Sequence, residues 1–277
     1  MEMDCTLIFY NDSELLEGPV YDPSNNYLYF VSILDGMVHF MDLSTKELCS
    51  IKLASPVGCV FILGKKKVLA ASKAGFYEID FEAQKSKFVF QFKISDLVRY
   101  NDGTTDPVGR YIVGTMGYPK VKDNLGKVYS YHKGHSKILI ENTTISNGLV
   151  FAEGGTILYF IDTPTKKVAK YNYDLAKGSA VFDDYIITFN EASSPDGMCM
   201  DDEGMLWIAE WGGGRVSKWN PKNGKMVDRV KLPCKNVSSC CLDASGNLFV
   251  TTAKSDGPDD IFGGGLFYVN LKKKRNG

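Results

Sequence analysis

Six copies of one short unit run through the chain, and nothing else in it limits the fold so strongly. They read "EGPVYDPSNNYLYFVS" from Glu17, "VGCVFILGKKKVLAAS" from Val57, "NDGTTDPVGRYIVGTM" from Asn101, "NGLVFAEGGTILYFID" from Asn147, "DGMCMDDEGMLWIAEW" from Asp196 and "SSCCLDASGNLFVTTA" from Ser238. Each holds two β-rich runs separated by a turn. A third run follows, such as "GMVHFMDL" or "GRVSKWNP", and commonly a fourth such as "GKMVDRV". Four strands at a spacing of roughly 40 to 50 residues are the signature of propeller blades, which bury their faces only against neighbouring blades. Helical periodicity is hard to find. The repeats therefore predict an all-β fold: a six-bladed β-propeller of four-stranded blades around a central channel, forming one domain over residues 1–277. The early strand "CTLIFYN" has no blade of its own and is expected to pair with the far end of the chain, closing the ring.

A propeller brings the first residues of its six inner strands to one end of the channel. In this chain they are Glu17, Val57, Asn101, Asn147, Asp196 and Ser238. Packing alone would put small or apolar residues there, because a buried carboxylate without a partner is costly. Two carboxylates and two amides around one axis instead make an oxygen-rich ring, which suits one divalent cation such as Ca²⁺, Mg²⁺ or Mn²⁺, with Zn²⁺ also accepting carboxylates. Taken singly, Asp196-Gly197 is a turn signal. The repeat gives it a second meaning.

Charge and composition exclude several classes of partner. The formal net charge is -1, with acidic and basic residues interspersed, so no field attracts nucleic acid or an anionic membrane. Lys65 to Lys67 and Lys272 to Arg275 read as solvated clusters. The N-terminus lacks a secretory pattern and no run approaches transmembrane length, so a soluble, cytoplasmic monomer acting on a small molecule is expected. Seven cysteines without C-x-x-C spacing read as reduced thiols. Three histidines give little material for a triad, and G-x-S-x-G, P-loop and G-x-G-x-x-G motifs are absent.

"LLEGPVYD", "RYNDGTTDPVGRYIVGTM", "SNGLVF", "YFIDTPTKKVAKYNYD" and "SPDGMCMDDEGMLWIAEWGGGRVSKWNPKNGKMVDRVKLP" resemble the regucalcin, gluconolactonase and luciferin-regenerating enzyme family over nearly the whole chain. The resemblance implies one divalent metal in the central channel and hydrolysis of lactones, typically sugar lactones, to hydroxy acids. It implies Glu17, Asn147 and Asp196 as metal ligands and Asn101 as a further metal-facing and substrate-binding residue. Arg99 and Asp102 match neighbours in a substrate-side loop. Asp196 is the expected catalytic residue, orienting or deprotonating water. Whether it or the ion activates that water stays open, as do a phosphotriesterase-like activity and a non-catalytic, calcium-binding or regulatory propeller.

Two departures stand out. After "GTM" many animal members place an acidic residue that contacts sugar hydroxyls, whereas this chain has Tyr118 and Pro119. Tyr118 is therefore expected to face substrate, and the segment Gly117 to Lys127 to cover the channel mouth and select what enters. The chain also ends in a Lys-rich tail rather than the family's Gly-rich ending.

Overall fold

Alternation of apolar and polar residues, broken by Gly, Asn and Asp turns, divides the chain into short strands. The computed structural model describes residues 5–271 apart from 55, 191, 258, 259 and 261. The basic run from Lys272 to Arg275 lies outside the described residues. Among them are six four-stranded sheets, and no helix longer than the 3₁₀ turns Glu153–Gly155 and Thr163–Thr165. Among the described residues no helix is long and apolar enough to cross a membrane. The chain is a six-bladed propeller with antiparallel blades.

Blades 1 to 5 each use four consecutive strands. Their inner strands are Leu16–Asp22, Val57–Gly64, Val98–Thr105, Ser146–Ala152 and Ser194–Met200. Blade 6 starts with Asn236–Leu242, continues through Leu248–Ala253 and Gly265–Val269, and takes its outer strand, Cys5–Tyr10, from the other end of the chain. Thr6 pairs with Tyr268 and Leu7 with Phe267, so the ring closes as the repeats predict.

The apolar residues form six buried clusters, one at each interface between blades. Val31, Phe40 and Phe81 belong to the cluster between blades 1 and 2, while Leu16, Phe30, Phe249 and Leu266 close the last interface, between blades 6 and 1. Since each blade buries apolar side chains on both faces, the hydrophobic term holds the ring together without filling its axis. The end of the channel where the inner strands begin is left to polar groups.

Glycine lets the inner strands converge. A Cβ at Gly58 would lie 2.5 Å from Asn101 O of blade 3, one at Gly103 2.8 Å from Cys59 Sγ of blade 2, and one at Gly148 2.9 Å from Asp196 O of blade 5. These are contacts between neighbouring inner strands, and no larger residue fits them.

Candidate functional site

All six inner strands slip register near their beginning: between Glu17 and Val20, Val57 and Cys59, Tyr100 and Gly103, Asn147 and Leu149, Pro195 and Met198, and Val237 and Ser239. Bulges re-aim side chains, and a bulge repeated around an axis points several at one place. Glu17, Asn101, Asn147 and Asp196 are all buried there, with Arg99. Five of the slips contain or adjoin a glycine: Gly18, Gly58, Gly103, Gly148 and Gly197. Counted back from that glycine, the third-blade equivalent of Glu17, Asn147 and Asp196 is Asp102. Asn101, one residue earlier, is the side chain that reaches the other ring amide.

A chain of directed hydrogen bonds crosses three blades. Arg99 Nη1 donates to Asn101 Oδ1 (2.7 Å) and to Tyr100 O (3.0 Å). Asn101 Nδ2 donates to Asn147 Oδ1 (2.7 Å) and Ser146 O (2.9 Å), and Asn147 Nδ2 donates to Thr163 Oγ1 (2.8 Å). Thr163 Oγ1 in turn donates to Pro195 O (2.9 Å), the residue before Asp196. Each amide is thereby fixed in one orientation, and Asn147 Oδ1 keeps a lone pair for another partner.

The carboxylates are held less comfortably. Glu17 accepts from Gly18 N–H at 2.8 Å, yet burial, then the charge of Asp102, pushes its pKa up to about 8 against the opposing pull of that N–H and of Arg99. Burial, followed by the charges of Glu17 and Asp102, raises Asp196 well above the carboxylate range, with Arg99 and the Asn147 amide opposing. Burial also draws Arg99 down to about 10, although Glu17, Tyr118 and Asp196 favour its charge. Asp196 Oδ1 is buried with no hydrogen-bond partner among the described residues. An orphaned buried carboxyl oxygen, in one ring with a second raised carboxyl and an oriented amide, is what a hard divalent cation would satisfy by stabilising the ionised forms, so the donor set fits such an ion.

The other expected residues fall in different places. Arg99 and Asp102 lie on a strand, Val98–Thr105, rather than in a loop. Asp102 accepts from Gly103 N–H at 2.7 Å, and its exposure is to a cavity of about 420 Å³ lined also by Val20, Cys59, Thr104, Met198 and Cys240. None of Glu17, Arg99, Asn101, Asn147 or Asp196 lines that cavity, which occupies the channel on the far side of the bulges. Burial, eased by the Gly103 N–H, pushes Asp102 up to about 6. Val57 and Ser238 contribute no charge to the ring; Ser238 Oγ donates to Leu16 O at 2.6 Å and ties blade 6 to blade 1.

Tyr118 is half-buried at the end of the blade where the ring residues lie. The segment after it folds back so closely that a Cβ on Gly117 would lie 2.5 Å from Lys120 O. Thr163 and Lys73 were not foreseen. Thr163 sits in the 3₁₀ turn "TPT" and braces Asn147, while Lys73 Nζ stands 4.8 Å from the Tyr118 ring centroid. Both come from turns beyond the second strands of their blades, where the repeats mark no position.

The SMP-30/Gluconolactonase/LRE-like region model matches residues 15–254. Human regucalcin is 34% identical over 253 residues, 88% of this chain and 84% of that protein, and Xenopus laevis regucalcin is 32% identical over the same extents. The crystal structure of a regucalcin from Agrobacterium tumefaciens, described as calcium-binding, superimposes with a TM-score of 0.88 at 25% identity, covering 97% of this chain and 94% of the other.

Proposed function

Because the chain belongs to the SMP-30/gluconolactonase/LRE-like family, we propose that it is a metal-dependent lactonase, opening a cyclic ester to a hydroxy acid. The observation that carries this reading is the buried, unpartnered Asp196 Oδ1 in the ring with Glu17 and the oriented Asn147, a carboxyl oxygen that an ion would satisfy and packing does not. Glu17, Asn147 and Asp196 would hold the ion, and Asn101 Oδ1, which accepts from Arg99, would have one lone pair left for it. When bound, a divalent cation supplies a Lewis acid for the lactone carbonyl.

The protein's own groups supply the rest. Asp196 orients the attacking water and accepts its proton, which then passes to the alkoxide leaving from the opened ring. Among the described residues Arg99 bonds protein acceptors through Nη1, so Nη2 is available to bind a substrate oxygen and to favour negative charge developing on it. Asn101 and Thr163 fix the orientation of the Asn147 amide, whose oxygen would be a ligand of the ion.

A panel of five- and six-membered lactones, assayed with chelator and then with added Mn²⁺, Zn²⁺, Mg²⁺ or Ca²⁺, tests the proposal. Turnover should vanish with chelator and return with metal, and Asp196→Ala should lose about 10²-fold or more. No metal-dependent turnover of any lactone would leave a calcium-binding propeller as the better reading.

A further inference from the structure

The rim beside Arg99 carries a second cation. Lys73 follows the strand Lys67–Ser72 of blade 2, and its backbone N–H donates to Pro56 O at 2.9 Å, which fixes it at the end of the blade where the ring residues lie. Its ammonium donates to Asp96 O at 3.0 Å and lies over the Tyr118 ring. Tyr118 N–H is bound to Leu97 O at 2.9 Å, and the refolded segment beyond Gly117 packs against the same strand end. Tyr118 is also within electrostatic reach of Arg99, together with Glu17 and Asp196. The phenol thus carries Lys73 on its face and lies within the electrostatic reach of the guanidinium.

The charges around this group do not balance. Glu17 and Asp196 are the two carboxylates whose charge a divalent ion would match. Among the described residues, Lys73 bonds a carbonyl, and Arg99 bonds a carbonyl and an amide; neither pairs with a carboxylate. With Asp102 also ionised, a metal-loaded site would keep one net positive charge, and its two cations lie on the blade 2 and blade 3 side. A neutral sugar hydroxyl needs no such field, whereas an anion does.

We propose that Lys73 is a specificity-determining residue that binds a carboxylate substituent of the substrate, making the preferred class lactones that carry an acid group. The proposal rests on the lactonase reading for its reaction. Tyr118 holds the ammonium by its face and limits the rotamers it must lose on binding. Arg99 meets the ring oxygens and Lys73 the acid group, so a lactone with both features is held at two points.

The test compares γ-butyrolactone with 5-oxotetrahydrofuran-2-carboxylate, the same ring with and without a carboxylate, on metal-loaded protein. In the wild type kcat/KM should favour the carboxylated ring by about tenfold, the worth of one charge-assisted hydrogen bond. Lys73→Met should bring that ratio near one, chiefly through KM of the acid, and Lys73→Arg should restore it. Added salt should reduce the wild-type preference. An equal ratio in wild type and Lys73→Met overturns the proposal while leaving the lactonase reading intact. If the wild type turns over neither ring, the wider lactone panel decides the lactonase reading, and calorimetric titration of 5-oxotetrahydrofuran-2-carboxylate into Mn²⁺-loaded wild type and Lys73→Met decides Lys73 separately. Binding about tenfold weaker in the variant supports it; equal binding, or none to the wild type, overturns it.

Discussion

Asn101 Nδ2 donates to Asn147 Oδ1 at 2.7 Å, so an amide on blade 3 sets the direction of an amide on blade 4 that is 46 residues away in sequence. The other end of Asn147 is fixed by Thr163, and with both contacts its oxygen has one permitted orientation. Thr163→Val keeps the shape of that side chain and removes the acceptor. Metal affinity should fall about 10- to 100-fold, the usual cost of losing such a supporting bond, while the unfolding midpoint of chelated protein moves little. Calorimetric titration with Mn²⁺ measures it, and wild-type affinity in Thr163→Val would remove Thr163 from the site.

Glu17 links stability to metal. Its pKa of about 8 in the folded chain lies above the ordinary 4.5, so the unfolded chain ionises first. In metal-free protein stability is complete below that ordinary value and declines as pH rises from there through the folded pKa. Glu17→Gln should therefore raise the melting temperature of chelated protein at pH 8, by a margin that vanishes at pH 4. With excess Mn²⁺ the order should reverse, because the wild type gains about 2.7 kcal/mol at one hundred times its dissociation constant and the variant binds poorly. Equal metal-induced shifts in the two proteins would count against Glu17 as a ligand.

His39 has the opposite sign. It is buried between Ser32 Oγ (2.8 Å) and Ser50 Oγ (2.7 Å) and stacked on Phe30. Burial lowers its pKa from 6.5 to about 4, with Asp35 opposing. A folded value below the unfolded one means that the unfolded chain takes the proton first. Stability is thus complete above the unfolded value and is lost as pH falls towards the folded one. Between pH 7 and 4.5 the wild type should lose about 2–3 kcal/mol that His39→Gln, which cannot titrate, does not lose. Urea unfolding of both proteins at the two pH values isolates the contribution from that of the carboxylates.

Gly58 serves the site without touching it. A methyl group there would meet Asn101 O at 2.5 Å and Tyr100 C at 2.6 Å, both backbone atoms. Gly58→Ala should cost about 1–3 kcal/mol and reduce metal-dependent turnover by displacing Asn101. Gly257→Ala, whose added carbon would have only Ser255 Oγ nearby at 3.8 Å, is the control and should stay within about 0.5 kcal/mol of wild type. Equal stability in the two variants would show that the strand moves freely.

The repeats made the propeller legible because every blade solves the same packing problem with the same alternation and turns. Closure by "CTLIFYN" was legible for a related reason: a strand without a blade needs a partner for its edge. Glu17, Asn147 and Asp196 each precede a glycine in a bulged strand, so one pattern locates all three. Blade 3 breaks that pattern. Its "NDG" offers two polar residues before Gly103, and only the bulge decides that Asn101 joins the amide chain while Asp102 lines the cavity beyond. Thr163 and Lys73 were hidden because contacts between the tops of neighbouring blades obey no sequence period.

The pairing of Cys5–Tyr10 with Gly265–Val269 sets an order in time as well as in space. The first of the described strands to be made is the last to find its partner, since more than 250 residues separate Leu7 from Phe267. Throughout that interval the nascent chain is an open arc with two unpaired edges, one on the waiting strand and one on the growing blade. The interval in which both edges stay open ends when Gly265–Val269 meets Cys5–Tyr10.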